Sequence, residues 1–285
     1  MTLQAALLSG YRLHLSHGPI DLVIGADGQR ARAFDAARAR FETVLTELVQ
    51  ELPLLRRPVA AHPEGRIARR MHAAAVPYTD GLTTPMIAVA GSVAEEVLAA
   101  MTSVADLRRA YVNNGGDIAL HLDGAARFRV AIAVPDGIEL GHVDLTAETP
   151  VRGIATSGQR GRSLSLGIAD AVTVLARSAA MADAAATRIA NAVDLSGHAA
   201  IRRVPACDVQ EDSDLRDTPV VRHVGPLSAR EISHALRQGQ TVAEDLRRRG
   251  LIHGAALFLR DQNAIVGLPE TTLAQLKVPE QCMMS

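Results

Sequence analysis

The sequence predicts a mixed α+β fold in which runs of strand stand largely apart from the helices. Three observations carry this expectation. Residues 107–112, 118–122 and 128–134 are short β-prone segments in succession, separated only by turn residues. Residues 31–52 and 229–249 instead place apolar side chains at helical spacing. No fixed repeat relates the two kinds of segment, as strict βαβ alternation would require.

Taken in order, residues 11–16 and 21–25 read as two strands about the turn His17-Gly18-Pro19. In 31–52 the stripe Phe34, Ala37, Phe41, Val44, Leu45 and Leu48 predicts an amphipathic helix, closed by Pro53 and Pro58. A second helix is expected over 67–75, before a hydroxyl-rich loop over 78–85. Pro85 suits a first helical turn, with Thr84 as its cap, so 86–101 is expected to be helical. Its small residues let another backbone or a ligand come close. The three strands of 107–134 are expected to be antiparallel neighbours. Residues 135–150 form a polar connection with room for a short edge strand. Alternating Val151, Gly153 and Ala155 lead into Thr156-Ser157-Gly158. A buried-type strand follows over 171–175, then an alanine-rich helix over 179–192. After the acidic passage 208–217 come a helix near 229–249 and strands near 255–259 and 264–266. The expected organisation is a core over 1–200 with a C-terminal α/β extension over 201–285 packed on it, or one continuous domain.

Composition excludes several classes. With 285 residues the chain can bury an ample core. A formal net charge of -1 leaves no footprint for nucleic acid, and 2% aromatic content leaves few stacking platforms for single strands. Cys207 and Cys282 are far apart and match no metal or redox spacing. The N-terminus lacks the pattern of a signal peptide, and no window approaches the roughly 20 apolar residues of a bilayer span. A reduced, cytoplasmic protein without membrane or nucleic-acid partners is expected. Abundant small apolar residues leave a homo-oligomer open.

Two constellations carry chemistry. Asn113, Asn114, Gly115, Gly116 and Asp117 place two carboxamides, two glycines and a carboxylate between strands. Adjacent glycines admit close approach of a ligand to the main chain, and Asp117 can hold a cation or a hydroxyl. A plain hairpin turn uses the same letters. Asp183 and Thr187, four apart on a predicted helix, share one face and together can serve magnesium. A surface or capping carboxylate is the plainer role for Asp183.

Asn114-Gly-Gly-Asp117, Ala155-Thr-Ser-Gly158 and Ala182-Asp-Ala-Ala-Ala-Thr187 occur in the order and rough spacing of the ApbE-like superfamily. Its best-known members are FAD:protein FMN transferases. The runs Ser163–Ala176 and Thr84–Gly91 make the chain resemble the superfamily's shorter bacterial and archaeal branch. The similarity covers most of 10–200. It implies a two-lobed α+β fold with mainly antiparallel sheets, packed helices and a central cleft of flavin size. It also implies Mg2+ held by Asp183, Thr187 and a main-chain carbonyl near Ala90, at the diphosphate of FAD. Gly115, Gly116 and Asp117 would lie at the nucleotide cleft, with Thr156, Ser157 and Gly158 lining it. The partners implied are an anionic small molecule and an acceptor protein.

Departures accompany the matches. Transferases usually carry a lysine-glycine pair where this chain reads Ala90-Gly91-Ser92, and a histidine with an Asp-Pro loop where it reads Arg160-Gly-Arg-Ser. Arg160 and Arg162 could clamp an anion or stand as exposed loop charges. Asp170 could replace a lost polar group or cap a strand. His121 and His142 read as local hydrogen-bonders, Glu211–Asp214 as a solvated turn, and Cys207 as a thiol without a partner. The expected function is therefore a cleft for a flavin nucleotide or similar anion with Mg-dependent diphosphate chemistry, or a binding protein that has lost transfer.

Overall fold

The computed structural model describes residues 2–79, 83–133, 139–161, 163–211 and 213–268. Arg162 and Cys282 lie outside them. Three strands open the chain: β1 (Gln4–Leu8), β2 (Arg12–His17) and β3 (Ile20–Gly28). Helices α1 (Arg30–Leu55), α2 (Arg66–Ala75) and α3 (Val89–Thr102) follow. Next come β4 (Leu107–Asn114), β5 (Asp117–Leu122), β6 (Arg127–Ala133), β7 (Glu139–Thr146), β8 (Gly153–Ser157) and β9 (Ala171–Ala176). The remainder is α4 (Ala179–Ala192), β10 (Ile201–Pro205), α5 (Ala206–Val209), β11 (Pro219–Val224), α6 (Ala229–Arg248), β12 (Gly254–Leu259) and β13 (Gln262–Val266).

Nine strands pair in one sheet, in the order β1-β2-β3-β4-β5-β8-β9-β12-β13, each neighbouring pair antiparallel. Side chains alternate across it. Leu13, Leu15, Leu22, Ile24, Ala110 and Val112 pack with Phe34, Phe41 and Val44 of α1 and Val93 and Val97 of α3. Val172, Val174, Leu257 and Leu259 pack with the alanines of α4 and with Ile232 and Leu236 of α6. The intervening residues Leu120, Leu122, Ile154 and Leu175 pack instead with Leu145 and Phe128 of the β6–β7 ribbon. Strand β9 is thus buried along its whole length, which explains a run apolar but for Thr173, whose hydroxyl is met by Thr156.

Several expectations need correction. Helix α1 runs through Pro53 to Leu55, because fully buried Leu55 anchors the last turn while the carbonyl that proline leaves unpaired belongs to Val49, which is 56% exposed. Thr84 caps nothing: its hydroxyl donates to Asp214 at 2.9 Å, and Pro85–Ala88 forms a 3-10 turn before α3 begins. The third strand of 107–134, β6, leaves the sheet to pair with β7, an eight-residue strand rather than a short edge. Strands β1, β10 and β11 carry little apolar alternation and were not foreseen. Finally, Pro85–Thr102 does reach a membrane-like mean hydropathy of 1.3 over 18 residues. The segment is 56% buried and packs between α1, α2, α4 and β4, which makes it a core helix by its contacts.

Candidate functional site

The site begins with two helix starts. Helix α3 has no side-chain cap of its own, so its first N–H groups need an outside acceptor. Asp183, from the second turn of α4, supplies it: its carboxylate accepts from the Gly91 N–H at 3.0 Å. In return Glu95 of α3 accepts from the Ala180 N–H at 2.7 Å, in the first turn of α4, beside the ordinary Ser178 cap. Such exchange needs close backbones, and Gly91 provides the closeness. A Cβ there would lie 2.3 Å from the Ala179 carbonyl oxygen, so only glycine fits.

The third wall is the β4–β5 hairpin. Asn114 pairs with Asp117 across a two-residue turn, Gly115 and Gly116, with φ of +65° and +116°. The Asn113 side chain accepts from the Gly116 N–H at 2.8 Å, closing the turn. Asn114 donates at 3.1 Å to the Ala90 carbonyl, fastening the hairpin to the start of α3. The segment is therefore a tight turn, and it also delivers Asp117 to the cavity.

Asp117 and Asp183 sit close enough for each to feel the other's charge. Burial pushes Asp183 up to about 7, against the pull of the Gly91 and Ala90 N–H groups. Burial likewise pushes Asp117 well above the usual carboxylate range, and the charge of Asp183 adds to it. Two carboxyls so placed either share protons or separate around a cation. Among the described residues no three His, Cys, Asp or Glu side chains converge on a metal position. A divalent ion here would rest on these carboxylates and neutral oxygens, a set that suits magnesium, which usually keeps waters and takes substrate phosphates. The Ala90 carbonyl, despite its bond from Asn114, retains a lone pair, and Thr187 stands one turn along α4 from Asp183.

Two cavities meet at this point. The smaller, about 310 Å³, is lined by Asp117, Asp183, Thr187, Ala90 and Ser157, together with Asn191 and Asp214. The larger, about 570 Å³, lies against α1 and α3 and has Asn114 and Gly115 on its wall. Arg56, Met86, Ala90 and Asp117 line both. The other anticipated residues stand back. Thr156 shares a hydroxyl hydrogen bond with Thr173 at 2.9 Å. Gly158 packs on the Asp170 and Ala169 carbonyls, where a Cβ would come within 2.7 Å. Arg160 pairs with Asp170 at 3.2 Å rather than facing either cavity. Asp170 itself ties the sheet together, accepting from the Arg260 N–H at 2.5 Å and from Gln159 at 3.1 Å. His121 meets the Leu107 carbonyl at 3.0 Å, a local bond. The Cys207 thiol is pushed up by burial and by Asp217 and Asp208, which makes it a poor nucleophile.

Asp214, Asn191 and Arg56 are among the lining residues that the motifs do not single out. Asp214 belongs to the acidic run taken for a solvated turn; it faces the smaller cavity and holds Thr84. Asn191 accepts from the Leu166 N–H at 3.1 Å and continues the Asp183–Thr187 stripe by four residues, a signal the spacing did contain. Arg56 gave no signal, being placed by the end of α1 alone.

Among solved structures the chain is similar to the Pseudomonas stutzeri flavinyl transferase ApbE, apo form, at 14% identity and a TM-score of 0.48, over 93% of this chain and 94% of that one. Among curated proteins it is similar to the UPF0280 protein of Archaeoglobus fulgidus, 40% identical over 114 residues, 38% of this chain and 44% of the relative. The UPF0280 protein of Methanopyrus kandleri is 41% identical over 128 residues, 44% of this chain and 48% of the relative. The chain thus spans about half the length of the curated relatives it matches. The family described as AbpE bacteria matches residues 4–265, from β1 into β13, in keeping with the ApbE-like resemblance of the motifs, and the chain belongs to it.

Proposed function

We propose that this chain is a magnesium-dependent enzyme acting on the diphosphate of a flavin nucleotide, with FAD as substrate and FMN transfer or hydrolysis as the reaction. The observation that carries the reading is the pair Asp117 and Asp183, both driven toward protonation on the lining of the smaller cavity, which Asp117 shares with the larger. Asp183, Thr187 and the Ala90 carbonyl would hold the ion, which supplies charge neutralisation at the diphosphate. Asp117, raised by burial and by the charge of Asp183, is in its ionised form a stronger base than an ordinary carboxylate. In the step itself the oxygen of an acceptor hydroxyl or of water bonds to the flavin-side phosphorus. The bridging P–O bond breaks, its electron pair leaves with AMP, and the nucleophile's proton passes to Asp117. Ser157, on the wall of the smaller cavity, and Asn114, on that of the larger, offer neutral hydrogen bonds to the ligand.

A second reading, binding without turnover, is favoured by one observation. Arg56 is the only cation among the described residues that line the two cavities, which leaves little positive charge for a leaving phosphate. Calorimetry with FAD, with and without Mg2+, tests the first reading. Binding should tighten with Mg2+, and Asp183→Ala should abolish that dependence; no binding in either condition would sink the flavin assignment. Chromatography of the mixture separates the two readings. Release of AMP and FMN supports the enzyme, and tight binding with no release supports the binding protein.

A further inference from the structure

Arg56 differs from arginines elsewhere in the fold. Arg40, Arg66 and Arg70 are committed to Glu96, and Arg160 to Asp170. The Nε of Arg56 is shut off from solvent and meets no acceptor among the described residues. Arg56 lines both cavities, yet it forms no ion pair with Asp117, Asp183 or Asp214, which line the smaller one with it. A buried guanidinium N–H without a partner is costly, and an acceptor brought by a ligand would relieve it. Backbone geometry holds the residue in place: Pro53 stiffens the last turn of α1, Leu55 is fully buried, and the Arg56 N–H closes on the Leu52 carbonyl.

The two sides of Arg56 differ in chemistry. On one lies the acid-lined cavity. On the other the 570 Å³ cavity presents Leu45, Leu48, Leu52, Met86 and Val93, with no aromatic residue. A ligand spanning the junction must carry a fixed anionic group beside an apolar ring body. We infer that Arg56 is the anion-recognising residue of one two-compartment site, selecting ligands in which a phosphate, sulfonate or carboxylate is attached to an apolar ring system that fills the α1–α3 compartment. The inference rests on the reading that these cavities bind a ligand, and it deepens that reading by naming the ligand's shape and the residue that selects it.

The test uses two dyes of similar ring body and opposite character, anionic 1-anilinonaphthalene-8-sulfonate and neutral N-phenyl-1-naphthylamine, titrated by fluorescence on the full chain. Wild type should bind the anionic dye the more tightly. Arg56→Met should weaken it by about 10- to 100-fold, the usual worth of a charge-assisted bond, and leave the neutral dye unchanged. Arg56→Lys, which keeps the charge and the fold, should fall between. Leu52→Glu should weaken both dyes, and thermal melting checks that each variant is folded. An unchanged ratio of the two dyes in Arg56→Met, indifference of both to Leu52→Glu, or no binding by wild type overturns the inference. Competition with FAD separates it from the flavin assignment. Displacement of the anionic dye supports both, whereas Arg56-dependent dye binding that FAD does not compete leaves the inference standing and removes the flavin.

Discussion

Asp183 serves both as the cap of a neighbouring helix and as a carboxyl buried beside Asp117, and these roles pull its ionisation in opposite directions. Burial prevails, and the group rises from 3.8 to about 7. A carboxyl raised on folding binds more protons in the native than in the unfolded state, so its ionisation costs stability. The cost is absent below about pH 4, grows as pH rises through the window up to about 7, and is constant above it. In metal-free buffer Asp183→Asn should therefore be more stable than wild type to denaturant at pH 8, by an amount on the order of a few kcal/mol at most. The difference should shrink toward pH 4.5, and Mg2+ should narrow it at pH 8 by stabilising wild type alone. A variant less stable than wild type at pH 8 would contradict the assignment. The motif residues themselves were legible because carboxylates four apart from a hydroxyl declare themselves in one dimension. Arg56 and Asp214 were not, since only the packing of distant segments gives them a role.

The helices illustrate why some segments declare themselves and others do not. The apolar stripe marked α1 and the alanine content marked α4, and the helix expected near 229–249 is α6. Strand β1 is nearly all exposed, and β10 and β11 carry arginine, histidine and terminal prolines, so no alternation announced them. Helix α3 was foreseen with the wrong start, because its acceptor comes from α4 and not from Thr84. Two substitutions test the exchange between α3 and α4. Gly91→Ala should destabilise by about 1–3 kcal/mol through forced separation of the backbones. Glu95→Ala should cost about 1 kcal/mol through a lost cap. Both are read from denaturant midpoints, and an unchanged midpoint for Gly91→Ala would show that the helices tolerate separation.

Nine strands in one sheet bind the chain from Gln4 to Val266, yet the sheet has a narrow joint. Strands β5 and β8 share only the register pairs Ile118↔Ile154 and Ala119↔Gly153, helped by the Leu120 N–H to the Arg152 carbonyl at 2.9 Å. Helices α3 and α4 bridge the same joint from above, so the site sits over the weakest part of the sheet. Strands β12 and β13 complete the sheet beside β9, and α6 packs on α4. Urea unfolding followed by far-UV circular dichroism and by tyrosine fluorescence should accordingly give one coincident transition. Two separated transitions would show that the parts on either side of the joint fold independently.

The reciprocal caps of α3 and α4 also bear on transplantation. Each helix start is completed by a side chain from the other, Gly91 by Asp183 and Ala180 by Glu95. Neither helix carries its own beginning in full, so a graft of the Asp183–Thr187 face of α4 alone into another scaffold would leave Asp183 without its N–H donors and its ionisation unset. The smallest transferable module is the helix pair with the Gly91 contact intact.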